Sequence, residues 1–416
     1  MDDFCSKASK MFKEEKYNDF INHVKSKTKQ LTSDEIDYLY NVSVSKNIMP
    51  LTLMILNLRW KYIKKVPDSQ LDKWLNLTQD FLIGVSSEVN PSFIKYLFRL
   101  SLKFGEASFE IGHSMPDYSR KAQFTLLQVL DRSNKISEIT PIHYLVAKLG
   151  LFNKKLYELE RIMNCSFLQV CSNSKVTGVQ CVLFFYYIGS VALILKNYSR
   201  VNYFYELAIC MPSKSIHIAS IESFKKQVLI HLITDGSQYH VPRLAPSRFS
   251  SIVRHHSCEH YSKLASLFTE YIRGKGDKES VLSYINKAKT FWIIDKNEGL
   301  IKKVKTALIK HKIKKLTKVY ASLTFKQLKK ETEEEKADEI VTKMIENREI
   351  TGKIDRKNET VIFYDVENQV AVDEIQDVCE DLMKYTEQVE SRLKDVNLDT
   401  RYLKQLLFTE GLNKDR

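Results

Sequence analysis

The chain has 416 residues, with 64 Lys and Arg against 51 Asp and Glu, for a formal charge of +13. It contains 12 glycines and 8 prolines, about 5% of residues against a usual share of roughly 12%. That scarcity argues against an all-β protein, which needs a turn every ten residues or so, and against folds built on glycine-rich phosphate loops; with 44% hydrophobic residues, a mainly helical chain of two or three domains is the expectation.

The N-terminus, Met1-Asp2-Asp3-Phe4-Cys5-Ser6-Lys7, lacks the apolar stretch of a secretory signal and is too acidic for a typical transit peptide. Seven cysteines spread from Cys5 to Cys379 without a Cys-x-x-Cys pair suit thiols in a reducing compartment. Apolar clusters then recur at Ile48 to Trp60, Trp74 to Val85, Phe93 to Phe104, Phe124 to Leu130 and Tyr144 to Leu151. Pro67, Asn90-Pro91, Met115-Pro116 and Thr140-Pro141 fall between them. Helix, short loop, helix is the grammar of a helical solenoid, here an irregular one.

From Val176 to Leu195 no residue is charged, a length that could span a bilayer. Thr177, Gln180 and Ser190 interrupt it, and polar sequence flanks it, so it reads as a buried repeat helix. With Val201, Phe204 and Ala208 it forms a tetratricopeptide-like helix pair. In that pair Gly189 permits close approach, Lys196-Asn197 makes the turn, and Ala208 packs against the next helix. Further helices are expected at 217–233, 257–272 and 278–290, with the loop Tyr239 to Pro246 between the first two.

Beyond Asn297 the texture changes. Gly299 to Lys330 holds 11 lysines and no acidic residue, whereas Glu331 to Glu346 holds 7 acids and 2 lysines. Two period-two runs follow, Ile350 to Ile354 and Thr360 to Tyr364, joined by the polar segment Asp355 to Glu359; together they predict a β-hairpin. Three helices and a hairpin are the order of a winged helix. The last forty residues return to helix, with Val372, Ile375, Cys379, Leu382, Thr386, Val389, Leu393 and Val396 spaced alternately by three and four. Such a heptad seam calls for helical partners.

Motifs for catalysis are missing. Neither Gly-x-Gly-x-x-Gly nor Gly-x-x-x-x-Gly-Lys occurs, and neither His-Glu-x-x-His nor His-x-His. In His255-His256-Ser257-Cys258-Glu259-His260, His256 and His260 stand one helical turn apart, but no second Cys/His group lies nearby, and the run reads as the polar start of a helix. No catalytic, cofactor or metal site is assigned.

A basic chain with a winged helix raises nucleic-acid binding. The best recognition-helix candidate, Thr332 to Asn347, is however strongly acidic and would repel phosphates. Lys302, Lys303, Lys305, Lys310, Lys312, Lys314 and Lys315 sit on the helix before it, around the apolar stripe Ile301, Val304, Leu308, Ile313 and Leu316, and read as a solvated face. The hairpin suits a protein partner better. If Ile350, Ile354, Val361 and Phe363 face the core, Ile362 and Tyr364 point outward on an edge strand, needing cover from another chain or from the C-terminal helix.

Helical repeats, a winged helix and a long terminal helix form the plan of PCI-domain proteins, which this chain resembles. Two stretches are similar to the family formed by subunit three of the COP-nine signalosome. The first includes Phe184 to Gly189, Leu195 to Tyr198, Tyr203 to Ile209 and Glu222-Ser223-Phe224-Lys225-Lys226. The second includes Asn297 to Ile301, Ile313 to Lys318, Met344-Ile345-Glu346, Glu349-Ile350, Ile354, Val361, Phe363 and Asp365. The chain departs from the pattern at Gly352, where Ala is usual, and at Glu359, where a turn Gly is common; Asn358 is the expected substitute for the left-handed turn.

The resemblance implies a mainly α chain in three parts: helical repeats over 1–185; a PCI domain over 186–366, helical to about 300 with its winged helix about 301–366; and a bundle helix over 367–416. It implies a non-catalytic scaffold that supports removal of Nedd8 from cullins of cullin–RING ubiquitin ligases, with the isopeptidase in a separate MPN subunit. Its partners would be the other signalosome subunits, of PCI and MPN types, with cullin–RING ligases reached indirectly, no specific nucleic acid and no membrane, in cytoplasm and nucleus. Ile350, Ile354, Ile362, Phe363 and Tyr364 would serve the winged-helix interface, and Val372, Ile375, Leu382, Val389, Leu393 and Val396 the helix bundle. The alternatives are a PCI subunit of the proteasome lid or an initiation factor, and a nucleic-acid-binding PCI protein of messenger RNA export.

Overall fold

The computed structural model describes residues 2–27, 33–62, 68–85, 90–167, 169–172, 174–212, 215–254, 258–355, 359–364 and 372–398. They fall into two compact units, 1–312 and 313–416. The first opens with α1 (Asp2–Lys13), α2 (Tyr17–Lys27), α3 (Ser33–Ser45), α4 (Met49–Tyr62), α5 (Asp68–Gly84), α6 (Pro91–Gly112) and α7 (Pro116–Arg132). After β1 (Glu138–Ile139) come α8 (His143–Asn153) and α9 (Glu160–Asn164), and β2 (Gln169–Val170) pairs in parallel with β1. That two-residue pairing is too short to leave a sequence pattern. Local chemistry explains the helix starts. Pro91 and Pro116 take the first position of α6 and α7, where a missing N–H costs nothing, and Asn90 Oδ1 accepts from the Ser92 N–H at 3.0 Å. Pro67 lies outside the described residues.

The uncharged stretch is α10 (Gly178–Ile194), followed by α11 (Tyr198–Cys210) and α12 (Ile218–Thr234). Thr177 and Gln180 close a reciprocal capping box at its start. At Gly189 a Cβ would stand 2.6 Å from Cε1 of Tyr205, so only glycine lets α10 and α11 approach this closely. Lys196 turns the chain at φ +61, Asn197 caps α11, and Val201, Phe204 and Ala208 are buried, as the helix-pair reading expects. No helix among the described residues is long and apolar enough to cross a membrane.

The unit continues through α13 (Ser247–Arg254), α14 (Glu259–Arg273), α15 (Lys278–Lys287), α16 (Lys289–Ile294) and most of α17 (Glu298–Thr317), whose residues from Ile313 belong to the second unit. The sequence reading missed α13, and the single helix expected at 278–290 breaks at Ala288 into α15 and α16. One apolar core runs from Cys5 to Ile230, and a second from Ile209 to Leu308. No disulfide joins the cysteines.

In the second unit, β3 (Ser322–Thr324) leads into α18 (Phe325–Thr332) and α19 (Ala337–Glu346), then β4 (Gly352–Asp355), β5 (Thr360–Phe363) and α20 (Val372–Leu398). The candidate recognition helix therefore starts later than expected: Glu333, at φ +50, ends α18, and α19 begins at Ala337. The strands form an antiparallel sheet in the order β3-β5-β4, with Leu323 and Ile354 both opposite Val361. This corrects the edge-strand expectation. β5 lies in the middle, its backbone paired on both sides, and β4 is an edge. The chain is thus mainly α, with irregular tetratricopeptide-like repeats, a winged helix and a long terminal helix.

Candidate assembly surfaces

The winged helix assembles one apolar core. Ile313 and Leu316 from α17, Leu323 from β3, Leu328 from α18, Ala337, Val341 and Met344 from α19, Ile350, and Val361 and Phe363 from β5 are all buried. Ile350 and Phe363 therefore spend their side chains on this core, and Ile354 is half-buried. The pleat turns the alternate residues out: Ile362 is 38% exposed and Tyr364 51%. Ile362 lies between Ser322 and Lys353, both exposed, so the outer face of the sheet is an apolar side chain flanked by polar ones. The pair belongs to a sheet face, not to an unpaired edge.

Along α20 every described side chain from Val378 to Lys394 is exposed, apart from the half-buried Arg392. Leu382 is 59% exposed, Val389 49% and Leu393 54%, so the seam is not buried at its described positions. Val372, Ile375 and Val396 lie within α20 with side chains outside the described residues. Val378, Met383 and Tyr385 widen the exposed apolar surface beyond the heptad positions.

Charge on the winged helix is distributed as a solvated surface. The stripe Ile301, Val304, Leu308, Ile313 and Leu316 of α17 is buried, with Lys302, Lys303 and Lys315 exposed around it and Lys305, Lys310, Lys312 and Lys314 half-buried. Asp338 and Glu339 occupy the first turn of α19, where phosphates would approach. Among the described residues no group of His, Cys, Asp and Glu is placed to hold a metal ion. His255 and His256 lie outside the described residues, and Nδ1 of His260 is 2.9 Å from the Tyr284 hydroxyl.

A polar cluster went unnoticed in the sequence. Lys225 Nζ lies 2.9 Å from both Glu222 Oε1 and Asp295 Oδ2. The Tyr261 hydroxyl donates to Asp295 Oδ2 at 2.7 Å, and Asn297 Nδ2 donates to the Tyr261 oxygen at 2.8 Å. Burial pulls the Lys225 ammonium down, but the Glu222 and Asp295 carboxylates outweigh it and hold its pKa above the ordinary value. Burial pushes the Tyr261 hydroxyl up, so it stays a donor. The cluster ties α12 and α14 to the segment before α17, and so joins the motif Glu222 to Lys226 with the one beginning at Asn297. A signal existed: Lys225 shares the spacing of buried Leu229 and Leu232, a lysine in register with an apolar stripe.

Comparison with known proteins agrees with this architecture. The family described as "COP9 signalosome complex subunit 3, N-terminal helical repeats" matches residues 14–249, and the PCI domain matches residues 282–365. The COP9 signalosome complex subunit 3 of Dictyostelium discoideum is 23% identical over 317 residues, covering 74% of each chain. Its counterpart in Drosophila melanogaster is 26% identical over 238 residues, 55% of this chain and 52% of the fly protein. With the helical-repeat match spanning more than half of its length and a PCI domain following it, the chain belongs to the COP9 signalosome subunit 3 family.

Proposed function

We propose that the chain is a non-catalytic scaffold subunit of the COP9 signalosome, supporting removal of Nedd8 from cullins of cullin–RING ubiquitin ligases. The isopeptidase would reside in a separate MPN-type subunit. The observation that carries the reading is the row Leu382, Val389 and Leu393 on α20, each about half exposed. A regular apolar seam left in water forfeits roughly 25 cal/mol for each Å² it could bury, and marks a surface awaiting other helices.

In this reading Val372, Ile375, Leu382, Val389, Leu393 and Val396 enter a shared helix bundle. Ile350, Ile354, Ile362, Phe363 and Tyr364 make the winged-helix interface: Ile362 and Tyr364 touch the neighbour, and the other three set the sheet beneath them. The functional division is 1–185 for the repeats, 186–366 for the PCI domain with its winged helix from about 301, and 367–416 for the bundle helix. Partners are the PCI and MPN subunits, with cullin–RING ligases reached through them. Neither a specific nucleic acid nor a membrane is a partner, and the compartments are cytoplasm and nucleus.

The test is affinity purification of the tagged chain from native extract, with mass spectrometry and a Nedd8–cullin cleavage assay on the eluate. A stoichiometric set of partners including an MPN metalloprotease, together with cleavage, is expected. An eluate of proteasome-lid, initiation-factor or RNA-export proteins without cleavage overturns the reading.

A further inference from the structure

Within the N-terminal repeats, α2, α4 and α6 enclose a cleft of about 230 Å³ lined by Lys25, Met54, Asn57, Leu58, Tyr96, Arg99 and Lys103. Its lining carries three cations and no carboxylate. Lys95, Arg99 and Lys103 recur every four residues, so they share one face of α6, and Lys25 faces the same Tyr96 ring as Lys95, at 5.7 and 5.2 Å. Lys25 and Arg99 are exposed, and neither has a carboxylate within ion-pair distance among the described residues. Like charges one turn apart cost a helix roughly 0.2–0.5 kcal/mol per pair, so this row works against α6. Among the described residues Lys25 and Arg99 meet no acidic counterpart.

The cleft is also preformed. Asn57 Nδ2 donates to the Tyr96 carbonyl at 2.9 Å, and Lys103 Nζ donates to the Asn57 carbonyl at 3.2 Å, bracing α4 against α6. Met54 and Leu58 supply an apolar floor. A row of cations at helical pitch beside an apolar recess matches an amphipathic helix that carries acidic residues one turn apart and one aliphatic anchor between them. Single-stranded nucleic acid fits less well: it needs an exposed aromatic platform, and Tyr96 is only 8% exposed.

We propose that this cleft is a docking site for an acidic amphipathic helix of a partner protein, gripped by Lys25, Lys95 and Arg99 and anchored over Met54 and Leu58. Its residues are distinct from those assigned to the wing and to α20.

The test measures fluorescence anisotropy of a labelled helical peptide, with glutamates at every fourth position around one leucine, titrated with the full-length chain. Saturable binding that weakens with salt is expected, with loss on replacing the glutamates by glutamine. Arg99→Glu should weaken it roughly tenfold, and Lys303→Glu, an equal charge change on α17, should leave it unchanged. Lys25→Glu, on a different helix, should reproduce the Arg99→Glu loss, and thermal melts confirm that each variant folds. No peptide binding, equal loss in the Lys303→Glu chain, or equal binding of a polyuridine strand at the cleft overturns the proposal.

Discussion

Gly352 and Glu359 bracket the wing and carry opposite constraints. A Cβ on Gly352 would stand 2.7 Å from the Ile362 carbonyl oxygen, a backbone atom held by pairing on both sides of β5. Gly352→Ala should therefore lower stability by about 1 kcal/mol, since the strands must part to admit the methyl group. Glu359 itself adopts the left-handed conformation, at φ +49. The sequence pattern assigns that role to Asn358, which lies outside the described residues. Glu359→Gly should raise stability by about 1 kcal/mol, because the left-handed region costs a side chain roughly that much. Urea midpoints measured on both variants check the two signs together. His143 supplies a pH dependence. Its Nδ1 accepts from the Thr140 N–H at 3.0 Å, which leaves the proton on Nε2, 3.1 Å from the Ile136 carbonyl. Full burial lowers its pKa from 6.5 to about 4. Between those values the unfolded chain binds a proton that the folded chain refuses. The stability tied to this group is whole above pH 6.5 and declines as pH falls toward 4, by about 3 kcal/mol in all. Denaturation midpoints followed downward from neutral pH should show this slope, and His143→Gln should flatten it.

Among elements, α12 carries a buried lysine held by two ion pairs. Lys225 enters a buried face and meets two carboxylates there, Glu222 on its own helix and Asp295 after α16. Lys225→Met keeps the stem and removes the charge, leaving Asp295 without Lys225 and Glu222 with Lys226 alone, 3.6 Å from its Oε2. It should destabilise the first unit by about 3 kcal/mol. The double change Lys225→Met with Asp295→Asn should recover part of that loss, a coupling that equilibrium unfolding of the three variants can measure. Elements announced by local chemistry were readable in advance. Asn90-Pro91 opens α6, Gly189 marks the crossing of α10 and α11, and period two places Val361 inward and Ile362 outward. β3, only three residues long, was not, because so short a run carries no period. Missing it misplaced β5 at an edge. The cleft between α4 and α6 was hidden too, since Lys25, Leu58 and Arg99 come from three helices whose adjacency no local pattern encodes.

At the scale of the whole molecule, the helical repeats and the terminal helix have different needs. The first unit buries its apolar faces in two cores of its own, whereas the described side chains of α20 from Val378 to Lys394 are exposed apart from the half-buried Arg392. Deleting residues 369–416 should therefore release the chain from its complex while the repeats stay folded, which co-elution and thermal melting of the truncated chain can test. Full co-elution of the truncated chain would refute the bundle role. Composition and periodicity by themselves determined the helical class, the winged-helix order and the heptad seam, because helix propensity and the 3.6- and 2-residue periods act between neighbours along the chain. Tertiary structure alone decided which strand lies in the middle of the sheet, which lysine is buried against Asp295, and which cations gather around the Met54 floor. Each of these joins residues distant in sequence, and such contacts depend on how whole elements pack, an energy that no local window contains.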